Sequence, residues 1–335
     1  SDTLYLTGYS TNDITIVITR DGNYIFTDKR YVGELNSLFA GEYTIIDGNL
    51  SDIYNLVCDS EVVGIDEDIT FKEMKAIIDT FSQYRLDSEK GKRLQYIHDI
   101  IKTMRCVKSD REIECIQRAQ SITDATFSKI IPYIKEGVSE IYIAATIDYI
   151  MRCEGATTAF DTIVAFGENT AYPHAHPTDR RLKRGDFITM DFGAKINGYC
   201  SDMTRTVAYG YASDEMKRAY DCVLQANLIG ISSLKAGISG KDVDSAARNY
   251  LDSCGYGKYF IHSLGHSVGI DIHEEPVLSQ KNDSALCSGV VITVEPGVYM
   301  EEKFGIRIED MLKITEDGAD NLTKSSKSLI IIDDN

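Results

Sequence analysis

Positive charge is scarce in this sequence: 35 lysines and arginines stand against 52 aspartates and glutamates, a formal net charge of −17. Nucleic acid and anionic membrane both demand a positive surface, so neither is expected as a partner. Long apolar runs are missing too, and nothing approaches the ~18 residues that a membrane helix needs. Ser1 to Ser10 has neither the basic region nor the apolar core of a signal peptide, so export is not expected. The cysteines, Cys58, Cys106, Cys115, Cys153, Cys200, Cys222, Cys254 and Cys287, contain no CxxC pair. That spacing is not a zinc–thiolate pattern. It fits free thiols in a reducing compartment, and the cytoplasm is the expected location. Low-complexity segments and short tandem repeats are absent.

What remains is ordinary globular material, 43% hydrophobic and 26% charged. A chain of 335 residues is long for one core, so two domains are expected. Residues 1 to about 84 read as a small α/β unit. Ile14 to Thr19 and Tyr24 to Thr27 are β-rich and flank Asp21-Gly22, a hairpin signal. Asp28 to Phe39 reads as a helix stopping near Gly41, Glu61 to Asp66 as a short strand, and Phe71 to Phe81 as a helix. Residues 85–110, charged and helical in pattern, read as a connector. Ser109 and Glu112 form a capping box opening an amphipathic helix through Ile113, Ile116, Thr123, Phe127, Ile130 and Ile134. Further helices start near Ser213 and at Ser239, the latter ending near Gly255. Strand-like runs lie between them: Phe187 to Ile196, Tyr199 to Ala208, Val290 to Glu295 and Gly305 to Ile314. The mixture predicts an α+β domain.

Histidine is rare, yet His174, His176, His262, His266 and His273 fall in one stretch, leaving only His98 outside it. Carboxylate-bearing strands lie on either side of His262, His266 and His273. Asn197-Gly198 is the preferred pair for a type I′ turn. That turn sets Ile196 opposite Tyr199 and Asp191 opposite Thr204, and puts Asp202 on the same face as Asp191. The two carboxylates are then diagonal neighbours, about 7–8 Å apart at the backbone. Two solvated aspartates on an exposed face are the plain alternative. Their neighbours Ile188, Met190 and Phe192 instead suggest a covered strand, where an unpaired carboxylate is costly. Glu295 ends another apolar strand, and Arg307 and Glu309 share a face two residues apart. An Arg-Glu pair is usually a salt bridge; beside Glu295 it reads as part of a site. His262 and His266 lie four apart, near Gly265 and Gly269, where the backbone can approach closely. Four carboxylates and an imidazole make a hard donor set that favours Mn²⁺ over a thiolate-type zinc site.

These residues resemble the creatinase/methionine aminopeptidase family of pita-bread metallopeptidases, and most of all its proline-specific branch, aminopeptidase P and prolidase. The family's ligand order is matched by Asp191 in MDFGA, Asp202 in SDMTRT, His266 in LGHSVG, Glu295 in VEPGVY and Glu309 in IRIED. The resemblance implies two divalent ions, Mn²⁺ first with Co²⁺ or Zn²⁺ as alternatives. Asp202 and Glu309 would bridge them, Asp191 would chelate one, and His266 and Glu295 would complete the other site. It also implies catalytic or substrate-binding roles for His174, His262 and His273, a general base in Glu295, and an orienting role for Arg307. His176 has no counterpart and reads as a rim residue.

LYLTGYS near the start and TDKRY at 27–31 are similar to the amino-terminal domain of the proline-specific branch. The fold expected from the resemblance is therefore a small α/β creatinase-type domain over residues 1–100, its first strand and helix lying before Ser1. A pita-bread catalytic domain would follow over residues 101–335. The implied function is an Xaa-Pro aminopeptidase acting on peptides with proline second, as a homodimer. An Xaa-Pro dipeptidase is the alternative. A metal-free peptide-binding relative, or a creatinase-like hydrolase of a small non-peptide substrate, ranks lower because all five ligands are present.

Overall fold

The computed structural model describes residues 1–9, 11, 13–66, 68–83, 93–97 and 100–333. The chain forms two compact units, Ser1–Thr103 and Met104–Asn335. In the first, strands Thr15–Ile18 and Asn23–Thr27 pair antiparallel across the expected Asp21-Gly22 turn. Helix Lys29–Leu38 then crosses over to strand Thr44–Asp47, parallel to the second. Asp28 caps that helix by accepting from Arg30 N.

The connector expected at 85–110 needs correction. Within it Arg93–Ile97 is a strand, parallel to Val62–Asp66, and among the described residues only Ile100–Cys106 is helical before the long helix that starts at Asp110. The strand expected at 61–66 would be buried by its apolar composition, but Val62 is exposed and only Ile65 of Val62–Asp66 is buried. Its backbone groups still need a partner, and that need outweighs the charged, helix-like composition around residue 95. Residues 84–92 and 98–99, including His98, lie outside the described residues.

The second unit is built twice over from a helix pair laid on a sheet. Asp110–Ile130 and Glu140–Cys153 cover a four-stranded sheet whose order is Ile331–Ile332, Thr204–Tyr209, Phe187–Asp191, Ile163–Phe166. Ile122, Phe127, Ile143, Ile147, Ile188 and Val207 meet in that core. Asp214–Ser233 and Gly240–Ser253 cover a five-stranded sheet of Glu274–Leu278, Gly265–Ser267, Val291–Val294, Asp310–Ile314 and Ala319–Asn321. Its core includes Val223, Val243, Leu251, Ile292 and Leu312. The halves repeat in detail. Ser109, Ser139, Ser213 and Ser239 each cap a helix by accepting from the N–H three residues on. Gly137 and Gly237, both at positive φ, turn the chain two residues before the second cap in each half. No helix among the described residues is long and apolar enough to cross a membrane.

The expected hairpin register holds. Asn197 and Gly198 have φ of 51° and 84°, Ile196 faces Tyr199, and Asp191 faces Thr204. Three expected strands are nonetheless broken. Phe187 to Ile196 interrupts at Phe192-Gly193, and Tyr199 to Ala208 interrupts at residues 201–203, so each contributes to two different sheets. Ser201 O sits where a side chain on Gly193 would be, 1.8 Å from an ideal Cβ. Gly305 to Ile314 likewise breaks at Ile308-Glu309. Side chains satisfy the carbonyls released there: Asn227 Nδ2 donates to Ile308 O at 3.2 Å, and Arg205 Nη1 donates to Glu309 O.

Candidate metal centre

The breaks and ends of these strands are where the carboxylates stand. Asp191 is the last residue of its strand, Asp202 and Glu309 occupy breaks, and Glu295 follows directly after Val291–Val294. His266 comes from the short strand Gly265–Ser267, whose Gly265 leaves room for Thr293 O at 2.0 Å from an ideal Cβ. Asp202, His266 and Glu309 offer ligand atoms that all lie within 4.8 Å of one another. His266 Nε2 is 3.6 Å from Asp202 Oδ2 and 3.5 Å from Glu295 Oε1. Asp191 joins through Arg307, whose Nη2 donates to Asp191 Oδ2 at 2.6 Å. All five residues singled out from the sequence are thus brought to one place.

The electrostatics of this cluster call for cations. His266 Nδ1 lies 3.1 Å from Ser267 O. A carbonyl only accepts, so the proton sits on Nδ1 and the Nε2 lone pair points at Asp202 and Glu295. Burial, and then His273, hold the His266 imidazole down at about 4, so the ring itself takes up no second proton at neutral pH. Burial, followed by repulsion from Glu309, Asp191 and Glu295, drives the Asp202 carboxyl well above its usual range. Glu309 is raised well above its own by burial and then by Glu295 and Asp191. Glu295 is pushed up to about 8 by burial, with Arg307 opposing. Asp191 Oδ1 is buried with no hydrogen-bond partner. A lone pair facing carboxylates, an orphaned buried oxygen and crowded acids are what a hard divalent cation would satisfy. The donor set therefore fits a metal.

Arg307, 4% exposed, spends its guanidinium on the surroundings of the cluster. Besides Asp191 it donates from Nε to Thr204 Oγ1 (2.9 Å) and from Nη1 to Tyr299 OH (2.7 Å) and Pro173 O (3.2 Å). Thr204 Oγ1 in turn donates to Glu309 Oε2 at 2.8 Å, so Arg307 and Glu309 meet at one hydroxyl.

The histidines also assemble. Burial and then Arg307 hold His262 down at about 4, burial lowers His273, and His174 lies near enough to both to add to the lowering. The His273 and His266 rings pack at 4.3 Å between centroids. His262 Nδ1 donates to Ser263 O (2.8 Å), which leaves Nε2 to accept from Tyr299 OH at 2.9 Å. His176 is exposed, two residues beyond His174 on the same loop.

Tyr299 is the site residue that sequence reasoning missed. It is buried on strand Gly297–Met300, and Gly297 makes room for its hydroxyl, 2.5 Å from where a Cβ would stand. A buried tyrosine needs a partner for its O–H. Its place four residues after Glu295 was the available signal. Each histidine loop also has a buried acid behind it. Asp244 holds Arg248 and Leu264 N, and Arg248 holds His262 O. Glu274, held by Arg105 and Lys108, accepts from Asp271 N beside His273.

Residues 1–107 match the creatinase/prolidase amino-terminal domain and residues 114–316 match metallopeptidase family M24. The chain is 38% identical to an Xaa-Pro dipeptidase of Pyrococcus furiosus over 318 residues, 92% of this chain and 89% of the relative. Among solved structures it resembles an X-Pro aminopeptidase from Thermotoga maritima, with 37% identity, a TM-score of 0.90, and coverage of 98% of this chain and 93% of that one. It also resembles an Xaa-Pro dipeptidase from Bacillus anthracis, with 35% identity, a TM-score of 0.91, and coverage of 98% and 92%. The mixed helix and sheet content and the twice-built second unit are those of the pita-bread fold. This chain therefore belongs to metallopeptidase family M24, carrying a creatinase/prolidase-type domain ahead of its pita-bread catalytic domain.

Proposed function

We propose that this chain hydrolyses Xaa-Pro bonds with two divalent cations held by Asp191, Asp202, His266, Glu295 and Glu309, and that dipeptides are its main substrates. The observation that carries the metal site is His266 Nε2 facing Asp202 and Glu295 across 3.5–3.6 Å. Asp202 is repelled by Glu309, Asp191 and Glu295 together, which supports a shared ligand at the centre. The hard, oxygen-rich donors favour Mn²⁺. Bound there, the cations would supply an activated water and a Lewis acid for the scissile carbonyl. Glu295 is placed to take up and return the proton. His174 and His273 stand at the rim to stabilise charge on the carbonyl oxygen and to steer the proline nitrogen. His262, with Nε2 receiving Tyr299 OH, enters as a proton acceptor held in one tautomer. All eight cysteines are free thiols, which supports a reducing compartment.

The named dipeptidase relatives favour the dipeptidase over the aminopeptidase, reversing the order expected from the sequence. A second reading stays in play for a specific reason. A dipeptidase needs a cation for its substrate's carboxylate, and every nitrogen of Arg307 is already engaged. Likeness to the Thermotoga X-Pro aminopeptidase points the same way. Comparing kcat/KM for Xaa-Pro with that for Xaa-Pro-Yaa separates the two. A dipeptidase should favour the dipeptide by at least ~10-fold. Equal or better turnover of the tripeptide would restore the aminopeptidase, and equal turnover of Xaa-Ala would remove proline specificity.

The histidines give a further expectation. Alanine at His174, His262 or His273 should lower kcat by on the order of 10²-fold, the usual cost of losing an acid–base or oxyanion group. Metal content should stay at the wild-type level in all three, and His176→Ala should be close to neutral. Equal damage from His176→Ala and His174→Ala, measured by steady-state kinetics, would show that the wrong histidine of this loop has been assigned.

A further inference from the structure

We infer that Glu140, outside the metal centre, is a positioning residue that sets His174 over the site; this rests on the reading that His174 acts on substrate. Glu140 opens helix Glu140–Cys153 and is fully buried. Its carboxylate accepts four hydrogen bonds. Oε1 receives Phe166 N at 2.7 Å and Asn169 Nδ2 at 3.0 Å, and Oε2 receives Thr178 N at 2.9 Å and Thr178 Oγ1 at 2.6 Å. Phe166 and Thr178 are the two ends of the segment 167–177 that carries His174. One carboxylate therefore closes the base of that loop. Charge-assisted bonds of this kind are the stronger class.

The helix start does not explain the acid. Ser139 already caps the helix, as Ser239 does in the repeated half. There the residue matching Glu140 is Gly240, where a Cβ would lie 2.4 Å from Val277 O. The same helix start is thus made without a carboxylate. What Glu140 adds is the closure of segment 167–177.

His174 depends on that closure because it is exposed rather than fixed by core packing. Its position comes from the backbone. Pro173 O, directly before it, accepts from Arg307 Nη1, and Thr170 Oγ1 accepts from Gly305 N at 2.7 Å. Those contacts register the middle of the loop, and Glu140 fixes both its ends. Loosening the base moves a ring that must reach the scissile bond, and a misplacement of about 1 Å can cost roughly 10²-fold in rate.

The test uses the metal-loaded full chain with an Xaa-Pro dipeptide. Glu140→Gln keeps the volume but turns an NH₂ toward donors, so kcat should fall about 10-fold, and Glu140→Ala should approach the loss of His174→Ala. KM and metal content should stay within about two-fold of wild type, since neither ligands nor bulk binding are touched. Thr178→Val, which removes one of the four donors, should lower kcat less and in the same direction. It also serves if Glu140→Ala does not fold. The double variant Glu140→Gln/His174→Ala should be no slower than His174→Ala alone. Losses that multiply in the double variant, or a fully active Glu140→Gln beside a slow His174→Ala, overturn the positioning role alone. A fully active His174→Ala overturns both the inference and the histidine's role beneath it.

Discussion

Asp202→Asn should lower kcat by on the order of 10³-fold or more, because under the proposed two-metal reading Asp202 is a shared ligand and its loss removes several kcal/mol of transition-state stabilisation. Asp202 is 5% exposed and sits within the repulsive field of Glu309, Asp191 and Glu295. An asparagine there offers one neutral oxygen in place of a charged carboxylate, so elemental analysis should find less than the wild-type metal content. The same substitution should act in the opposite direction on the metal-free fold. Removing one of several crowded, buried acids relieves repulsion, so the stripped variant should melt above stripped wild type. A change of 1 kcal/mol corresponds to about 2–4 °C in a domain of this size. Retained activity together with an unchanged stripped melting point would show that Asp202 is neither ligand nor crowded acid. This crossed pattern, activity down and stripped stability up, is hard to obtain from general damage.

The second large effect belongs to Arg307. Arg307→Met keeps the buried stem but deletes the fork that holds Asp191, Thr204, Tyr299 and Pro173. Breaking a buried pair by removing one partner costs about 3–5 kcal/mol, since the abandoned groups remain buried. Unlike Asp202→Asn, this change should therefore lower the melting point of the stripped protein. Activity should fall as well, because Tyr299 loses the donor that fixes it against His262 and Asp191 loses its orientation. Arg307→Lys restores a charge without the planar fork and should recover only part of the stability. Urea unfolding of the two stripped variants checks this. If Arg307→Met is as stable as wild type, the guanidinium is not holding the site together.

Much of the site was legible because strand arithmetic is rigid. Once Asn197-Gly198 is accepted as the turn, Asp191 must face Thr204, and it does. The cap serines Ser109, Ser213 and Ser239 marked helix starts by local chemistry alone. What was not legible depends on contacts distant in sequence. The strand breaks at Asp202 and Glu309 are stabilised by Gly193 yielding to Ser201 O and by Asn227 and Arg205 capturing loose carbonyls. No periodicity signals that. Arg93–Ile97 was hidden for a similar reason, since its partner lies at Val62–Asp66. Glu140 reads locally as an acid favoured in the first turn of a helix. Only the fold shows that it ties together the two ends of a loop, Phe166 and Thr178. Tyr299 likewise looks like strand composition until its hydroxyl is seen between Arg307 and His262.

The most direct measurement is hydrolysis of an Xaa-Pro dipeptide by one preparation in three states: as purified, stripped by chelator, and stripped then reloaded with Mn²⁺. Metal is counted in each state by elemental analysis. The expected result is about two divalent ions per chain in the active states, from the two-metal template, and loss of turnover on stripping with recovery on reloading. An Xaa-Ala dipeptide should be turned over far more slowly in every state. Full Xaa-Pro turnover by protein shown to contain no metal would contradict the assignment of Asp191, Asp202, His266, Glu295 and Glu309 as a working metal centre.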